Sequence, residues 1–251
     1  MRQWSVCKTL MIGMEMPEIF YVFDVDGTVT DSRQVIDKEF AEYFEKFATL
    51  FNVILVTGSD RPKTVEQLGH IYDLALRVYN CSGNDVYERS NNVRKVDFKI
   101  SPELEQFLEA KLLKSDYPIR AGGHLDVRSG NANFSVVGRH IDWDGRLQYH
   151  LYDSECNERK LIAAEINAKF PDYQASIAGE IGIDIMYKGD GKHTILKDFK
   201  DNDNVYFFGD SCQEGGNDYS IAQAVLMRGE YGRVYSVRGW KETWEILKSL
   251  V

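Results

Sequence analysis

Three short apolar runs in this chain stop abruptly in small polar residues, and that pattern constrains the fold more than any other feature. Ile19 to Phe23 runs into Asp24-Val25-Asp26-Gly27-Thr28, Val53 to Val56 into Thr57-Gly58-Ser59-Asp60, and Val205 to Phe208 into Gly209-Asp210-Ser211. A strand-length run with no polar alternation must be covered on both faces, as in a parallel sheet. Residues 33–49 carry Val35, Ile36, Phe40, Tyr43, Phe44 and Phe47 at helical spacing, which predicts a helix there. A second helix is expected from Pro62 and a strand over 76–79. This βαβαβ order predicts a doubly wound parallel sheet whose ligand site lies at the carboxyl ends of the strands.

The middle of the chain reads differently. Ser101-Pro102-Glu103 opens a helix to about Leu113, and the segments 123–128 and 132–137 flank the turn Ser129-Gly130-Asn131. A helix over 154–170 then precedes a second hairpin, 173–178 and 181–186, turning at Gly179-Glu180. Helix, hairpin, helix, hairpin (αββαββ) predicts an inserted α+β domain with an antiparallel sheet. The α/β pattern resumes at Val205, continues over 233–237 and closes with a helix holding Trp240, Trp244 and Leu247. The expected organisation is a core in two parts, 1–85 and 189–251, split by an insert over 86–188, with 1–17 an N-terminal extension rather than a signal peptide.

Charge narrows the partners. Thirty Lys and Arg against 39 Asp and Glu give a net −9, the wrong sign for nucleic acid or an acidic membrane surface. No apolar run reaches the length of a membrane span. The four cysteines, Cys7, Cys81, Cys156 and Cys212, form neither a CxxC pair nor a dense framework, which suits a reducing, cytoplasmic setting. An anionic small molecule stays compatible with this charge if a few arginines converge on it.

The chemistry starts at Asp24 and Asp26. Strand alternation puts both on one side of the chain at the active edge of the sheet. One carboxylate can attack phosphorus while the other exchanges a proton with the leaving or attacking oxygen. Attack of an anion on an anion needs neutralisation, which Mg²⁺ on Asp oxygens and a lysine supply. Thr57 can hold a phosphoryl oxygen, Lys192 follows Gly189-Asp190-Gly191, and Asp210 with Asn217-Asp218 offers further metal ligands. Singly, these read as an Asp-Gly turn, a helix-capping turn, a solvated lysine and a glycine-rich loop. All four in this order, after the expected strands, leave little room for that.

These stations resemble the haloacid dehalogenase (HAD) superfamily of phosphotransferases, and the insert resembles its larger cap type. A closer resemblance, across nearly the whole chain, is to the eukaryotic-type phosphomannomutases. Phe23-Asp24-Val25-Asp26-Gly27-Thr28 with Arg33-Gln34 is similar to their opening motif. Asp126-Val127-Arg128-Ser129-Gly130, Asn133 and Val137-Gly138-Arg139 are similar to their cap hairpin, and residues 177–184 to their sugar-contacting hairpin. The resemblance implies Asp24 as nucleophile and Asp26 as general acid/base, with Thr57 and Lys192 completing the catalytic set. It implies a metal site at Asp24, Asp26, Asp210, Asn217 and Asp218, and substrate contacts from Arg33, Arg128, Arg139, Arg146, Gly182 and Asp184. The implied reaction interconverts mannose 6-phosphate and mannose 1-phosphate with Mg²⁺, activated by a hexose 1,6-bisphosphate. A homodimer through the cap is a further expectation. The chain departs from the family at Gly182, where a sugar-contacting serine is usual, and at Ser211, where a lysine follows the metal-binding Asp.

Strand alternation agrees with the cap assignment: Leu125 and Val127 are expected under the cap helices, leaving Arg128 and Asp184 facing the core. Singly each arginine reads as a surface ion pair; together they can hold a phosphate distant from the nucleophile. The alternative is a sugar-phosphate phosphatase of the same superfamily, in which water finishes the reaction. A non-catalytic phosphosugar sensor conflicts with the intact Asp24, Asp26, Lys192 and Asp210. His193, beside Lys192, is the one histidine given a site role.

Overall fold

The computed structural model describes residues 16–250; residues 1–15, most of the expected extension, and Cys7 lie outside them. Seven strands form the larger sheet: β1 (Ile19–Asp24), β2 (Asn52–Val56), β3 (Arg77–Asn80), β4 (Asp85–Glu88), β5 (Asn91–Lys95), β10 (Asn204–Gly209) and β11 (Gly232–Ser236). Their order is β11-β10-β1-β2-β3-β4-β5. The first five in space are parallel and the β3-β4-β5 edge is antiparallel. β1 sits between β10 and β2, with Phe23 opposite both Phe208 and Leu55. Val22, Phe23, Leu55, Val56, Phe207 and Phe208 are sealed from water, as unbroken apolar runs require.

Helix α1 (Lys38–Leu50) begins later than its periodicity predicts. Asp37 caps it by accepting from the Glu39 and Phe40 amides, so Val35 and Ile36 stay in the preceding loop. Phe40, Phe44 and Phe47 pack under the sheet against Phe23 and the C-terminal helix. Each such aromatic contributes roughly 1.5–3 kcal/mol on full burial. Asp60 caps α2 (Arg61–Leu68), followed by the one-turn α3 (Ile71–Leu74).

The boundary expected at 86 falls inside β4. The chain pairs along the first sheet as far as Lys95, an extension the sequence masked because β5 is polar and lies largely exposed at the edge. A second, four-stranded antiparallel sheet follows: β6 (Leu125–Arg128), β7 (Asn131–Phe134), β8 (Tyr173–Ala178) and β9 (Gly182–Tyr187), in the order β6-β7-β9-β8. Its helices are α4 (Pro102–Lys114), α5 (Trp143–Cys156) and α6 (Glu158–Lys169). The helix expected over 154–170 is α6, which starts at Glu158, and α5 before it is an additional helix that the expected order lacks; the two meet at Asn157, whose left-handed φ of 56° ends one and starts the other. Ala132, Phe134, Ile183 and Ile185 bury one face of this sheet against Leu104, Tyr149 and Ile162. Val127 does not join them and is 51% exposed. The chain returns through a 3₁₀ turn (Lys192–Asp198), then β10, α7 (Tyr219–Leu226), β11 and α8 (Trp240–Leu250). No helix among the described residues is long and apolar enough to cross a membrane.

Candidate active site

The carboxyl ends of β1, β2 and β10 deliver the three motifs to one place. Asp24, the last residue of β1, is 1% exposed, and its Oδ1 accepts from Lys192 Nζ at 2.6 Å. Lys192 also donates to Asp218 Oδ1 at 2.6 Å. The second Asp218 oxygen accepts from the Ser211 amide at 3.3 Å, so both its oxygens are committed. Asp24 Oδ2, in contrast, is buried with no partner.

Carboxylate oxygens of Asp24, Asp210 and Asp218 lie within 4.8 Å of one another. Gly27 permits this approach: at φ +78° a Cβ there would stand 2.4 Å from Asp210 Oδ2. Burial, then repulsion from Asp218, drives the Asp24 carboxyl up to about 8 against the pull of Lys192. Asp210 moves upward for the same two reasons. Burial alone would pull Lys192 down, but Asp24 and Asp218 outweigh it and the net effect is upward. Three clustered carboxylates facing one ammonium, with an orphaned oxygen, are a donor set that fits a small hard divalent cation. Asp24 and Asp210 carry the free capacity.

Asp26 stands outside that cluster. Its Oδ1 accepts from the Arg33 amide at 2.6 Å and from Gln67 Nε2 at 2.9 Å. Arg33 reaches this geometry in the left-handed region, φ 60°. Gln67, on α2, is 1% exposed and also donates to Thr30. Thr57 Oγ1 accepts from the Ser59 amide at 3.0 Å, which leaves its hydroxyl hydrogen available to a ligand.

A cavity of about 240 Å³ joins both sheets. From the first come Asp24, Asp26, Arg33, Thr57, Ser59 and Asn217; from the second come Arg128, Arg139, Arg146, Gly182 and Asp184. Lys192, Asp210 and Asp218 stand behind Asp24, and His193 does not line the cavity. The arginines are held in a network: Arg128 to Asp126 at 2.6 and 2.9 Å, Arg139 to Asn133 at 3.1 Å, and Arg146 to the Arg139 carbonyl at 3.2 Å. Burial and the neighbouring Arg128 lower the Arg139 pKa. Burial raises Asp184, opposed by the Asn133 amide at 2.7 Å and by Arg128 and Arg139.

Two contributors carried no signal in the sequence, and a third was visible only as part of a longer matched hairpin. Gln67 is one. Arg159 is another: buried with Asp153 at 2.8 Å, it donates to the Gly179 carbonyl at 2.8 Å and so pins the β8–β9 turn. Glu180, at the tip of that turn, also lines the cavity. Gln67 and Arg159 lie on helices, 41 and 20 residues from the Asp26 and Gly179 they hold, and Glu180 lies within the hairpin 177–184 without a residue-level signal of its own.

A family model described as eukaryotic phosphomannomutase matches residues 40–251. Among curated relatives, the phosphomannomutase of Arabidopsis thaliana is 31% identical over 223 residues, 85% of this chain and 90% of that one. The phosphomannomutase of Saccharomyces cerevisiae is 31% identical over 221 residues, 82% and 86% respectively. Among solved structures, a haloacid dehalogenase-like hydrolase from Bacteroides thetaiotaomicron superposes with a TM-score of 0.60 at 10% identity, covering 94% of this chain and all of that one. At that identity the likeness is one of fold.

Proposed function

The chain belongs to the eukaryotic phosphomannomutase family, and from that premise we propose that it interconverts mannose 6-phosphate and mannose 1-phosphate through a phosphoryl group carried by Asp24. The observation that carries this reading is the single cavity holding Asp24 and Asp26 on one side and Arg128, Arg139 and Arg146 on the other. A hydrolase needs one phosphate subsite. Transfer between two positions of one sugar needs a second subsite for the remote phosphate, and guanidinium groups bind phosphate bidentately.

In this mechanism a hydroxyl of the bound hexose monophosphate attacks the phosphorus carried by Asp24 in line, the bond from phosphorus to the Asp24 oxygen breaks, and Asp26 takes the hydroxyl proton. The two donors on Asp26 Oδ1 hold its carboxyl plane, so the other oxygen does the exchange. The Thr57 hydroxyl and the Gly58 amide receive the phosphoryl oxygens. The arginines keep the resulting hexose bisphosphate until it presents its other phosphate; an Asp24 oxygen then attacks that phosphorus, the bond from phosphorus to the sugar oxygen breaks, Asp26 returns its proton to that oxygen, and the other hexose monophosphate leaves. Asp24 and Asp210, with Asp218 and Asn217 beside them, would hold Mg²⁺, which would supply charge neutralisation. A catalytic amount of hexose 1,6-bisphosphate starts the cycle by phosphorylating Asp24.

In this reading the second sheet and its helices are the cap and the protein works in the cytoplasm. A homodimer through the cap has a face available in Trp143, Leu147 and Leu151, exposed at successive turns of α5.

³¹P NMR tests the reaction. With mannose 1-phosphate and Mg²⁺, mannose 6-phosphate should form only when a hexose 1,6-bisphosphate is added; inorganic phosphate as sole product refutes the mutase.

A further inference from the structure

We propose that Glu180 selects the sugar, accepting hydrogen bonds from hydroxyls of the hexose held between Asp24 and the arginines. The inference rests on the hexose phosphate reading above and deepens it.

Three of the cavity's carboxylates are already engaged by protein donors: Asp24 by Lys192, Asp26 by Gln67 and the Arg33 amide, and Asp184 by Asn133. Glu180 has none among the described residues, and its Oε2 is buried without a partner. A buried acceptor left unbonded is costly, and a ligand donor that reaches it recovers that loss. Phosphate offers no such donor at neutral pH and is repelled by a carboxylate. The hydroxyls of a sugar are donors.

The turn that carries Glu180 is fixed from both sides. Arg159 donates to the Gly179 carbonyl from behind. In front, Arg33 Nη2 lies 3.7 Å from where a Gly179 Cβ would stand, so the turn reaches the Asp26 side of the cavity. Gly182, the neighbouring strand position, has no side chain to offer and no room for one. A Cβ there would stand 2.6 Å from Asn133 Nδ2 and 3.0 Å from the Ala178 carbonyl. Asn133 cannot withdraw readily, since its amide bridges Asp184 and Arg139. Sugar contact from this hairpin's tip therefore falls to Glu180.

The test measures kcat/KM for the full-length wild type, Glu180→Ala and Glu180→Gln on mannose 1-phosphate and on a panel of singly deoxygenated analogues. Glu180→Ala should cost roughly ten- to hundredfold on the parent sugar, the range for a hydrogen bond to a charged group. Glu180→Gln, which keeps an acceptor of the same shape, should lose less. On the analogue lacking the partnered hydroxyl, Glu180→Ala should cost nothing further. An unaffected parent reaction, or equal loss on every analogue, overturns the assignment while leaving the mutase reading in place. A wild type that cleaves p-nitrophenyl phosphate but turns over no hexose phosphate overturns both.

Discussion

The Lys192 ammonium stands 2.6 Å from the Asp24 carboxylate, and both side chains are almost wholly shielded from water. With Asp218 at the same distance on its other side, Lys192 is the counter-charge that lets buried acids cluster at the end of β1. Lys192→Met should lower metal-free stability by about 3–5 kcal/mol, because it leaves carboxylates buried without their cation. Denaturant unfolding with and without Mg²⁺ checks this: added Mg²⁺ should restore part of the loss, and an unchanged midpoint in chelator would show that the pair contributes nothing.

Asp24→Asn should abolish turnover yet stabilise the metal-free protein. The Asp24 carboxyl is raised to about 8 by burial and by Asp218, above its unfolded value near 4. Its protonated form is therefore favoured in the fold, and that contribution is complete below about pH 4 and lost as pH rises toward 8. Asparagine does not titrate. The variant's stability advantage should grow between pH 5 and 8, by on the order of a few kcal/mol, as read from unfolding midpoints in chelator. An advantage that shrinks with pH contradicts the raised carboxyl.

Gln67→Met keeps volume but removes a donor from Asp26. Turnover of a sugar phosphate should fall roughly tenfold or more, with KM little changed, since placement of an acid/base group is worth on the order of 10²-fold or more. Hydrolysis of p-nitrophenyl phosphate should fall less, because its leaving group departs without a proton. Parallel losses on both substrates would indicate a general packing defect.

Arg139→Ala should reduce mutase turnover more than hydrolysis of a simple aryl phosphate, which has no second phosphate to hold. Steady-state rates on the two substrates give the comparison; equal losses count against a role at the remote phosphate.

How much of this was legible in advance follows the range of each signal. Asp24, Thr57 and Asp210 were readable because each sits within two residues of an apolar run that ends in a small polar turn, and the constraint is local. Gly27 was readable for the same reason, and the structure adds the cause: Asp210 Oδ2 fills the space a Cβ would need. The junction of α5 with α6 at Asn157 and the late start of α1 at Asp37 turn on one cap residue each, which periodicity averages over. The strand β5 was hidden because an edge strand buries too little to need an apolar pattern.

The parallel core, its interruption by an antiparallel insert, and the acids and arginines on which the chemistry depends are legible along the chain, because strand burial, turn geometry and motif order are written in neighbouring residues. The position of Lys192 between Asp24 and Asp218 and the hold of Gln67 on Asp26 come from three-dimensional packing. The same is true of the pairing of Asn133 with Asp184 across β7 and β9 and of the place of Glu180 in the cavity, without a protein partner among the described residues. Those relationships join residues far apart in the chain, and they depend on strand register and on how one sheet faces the other.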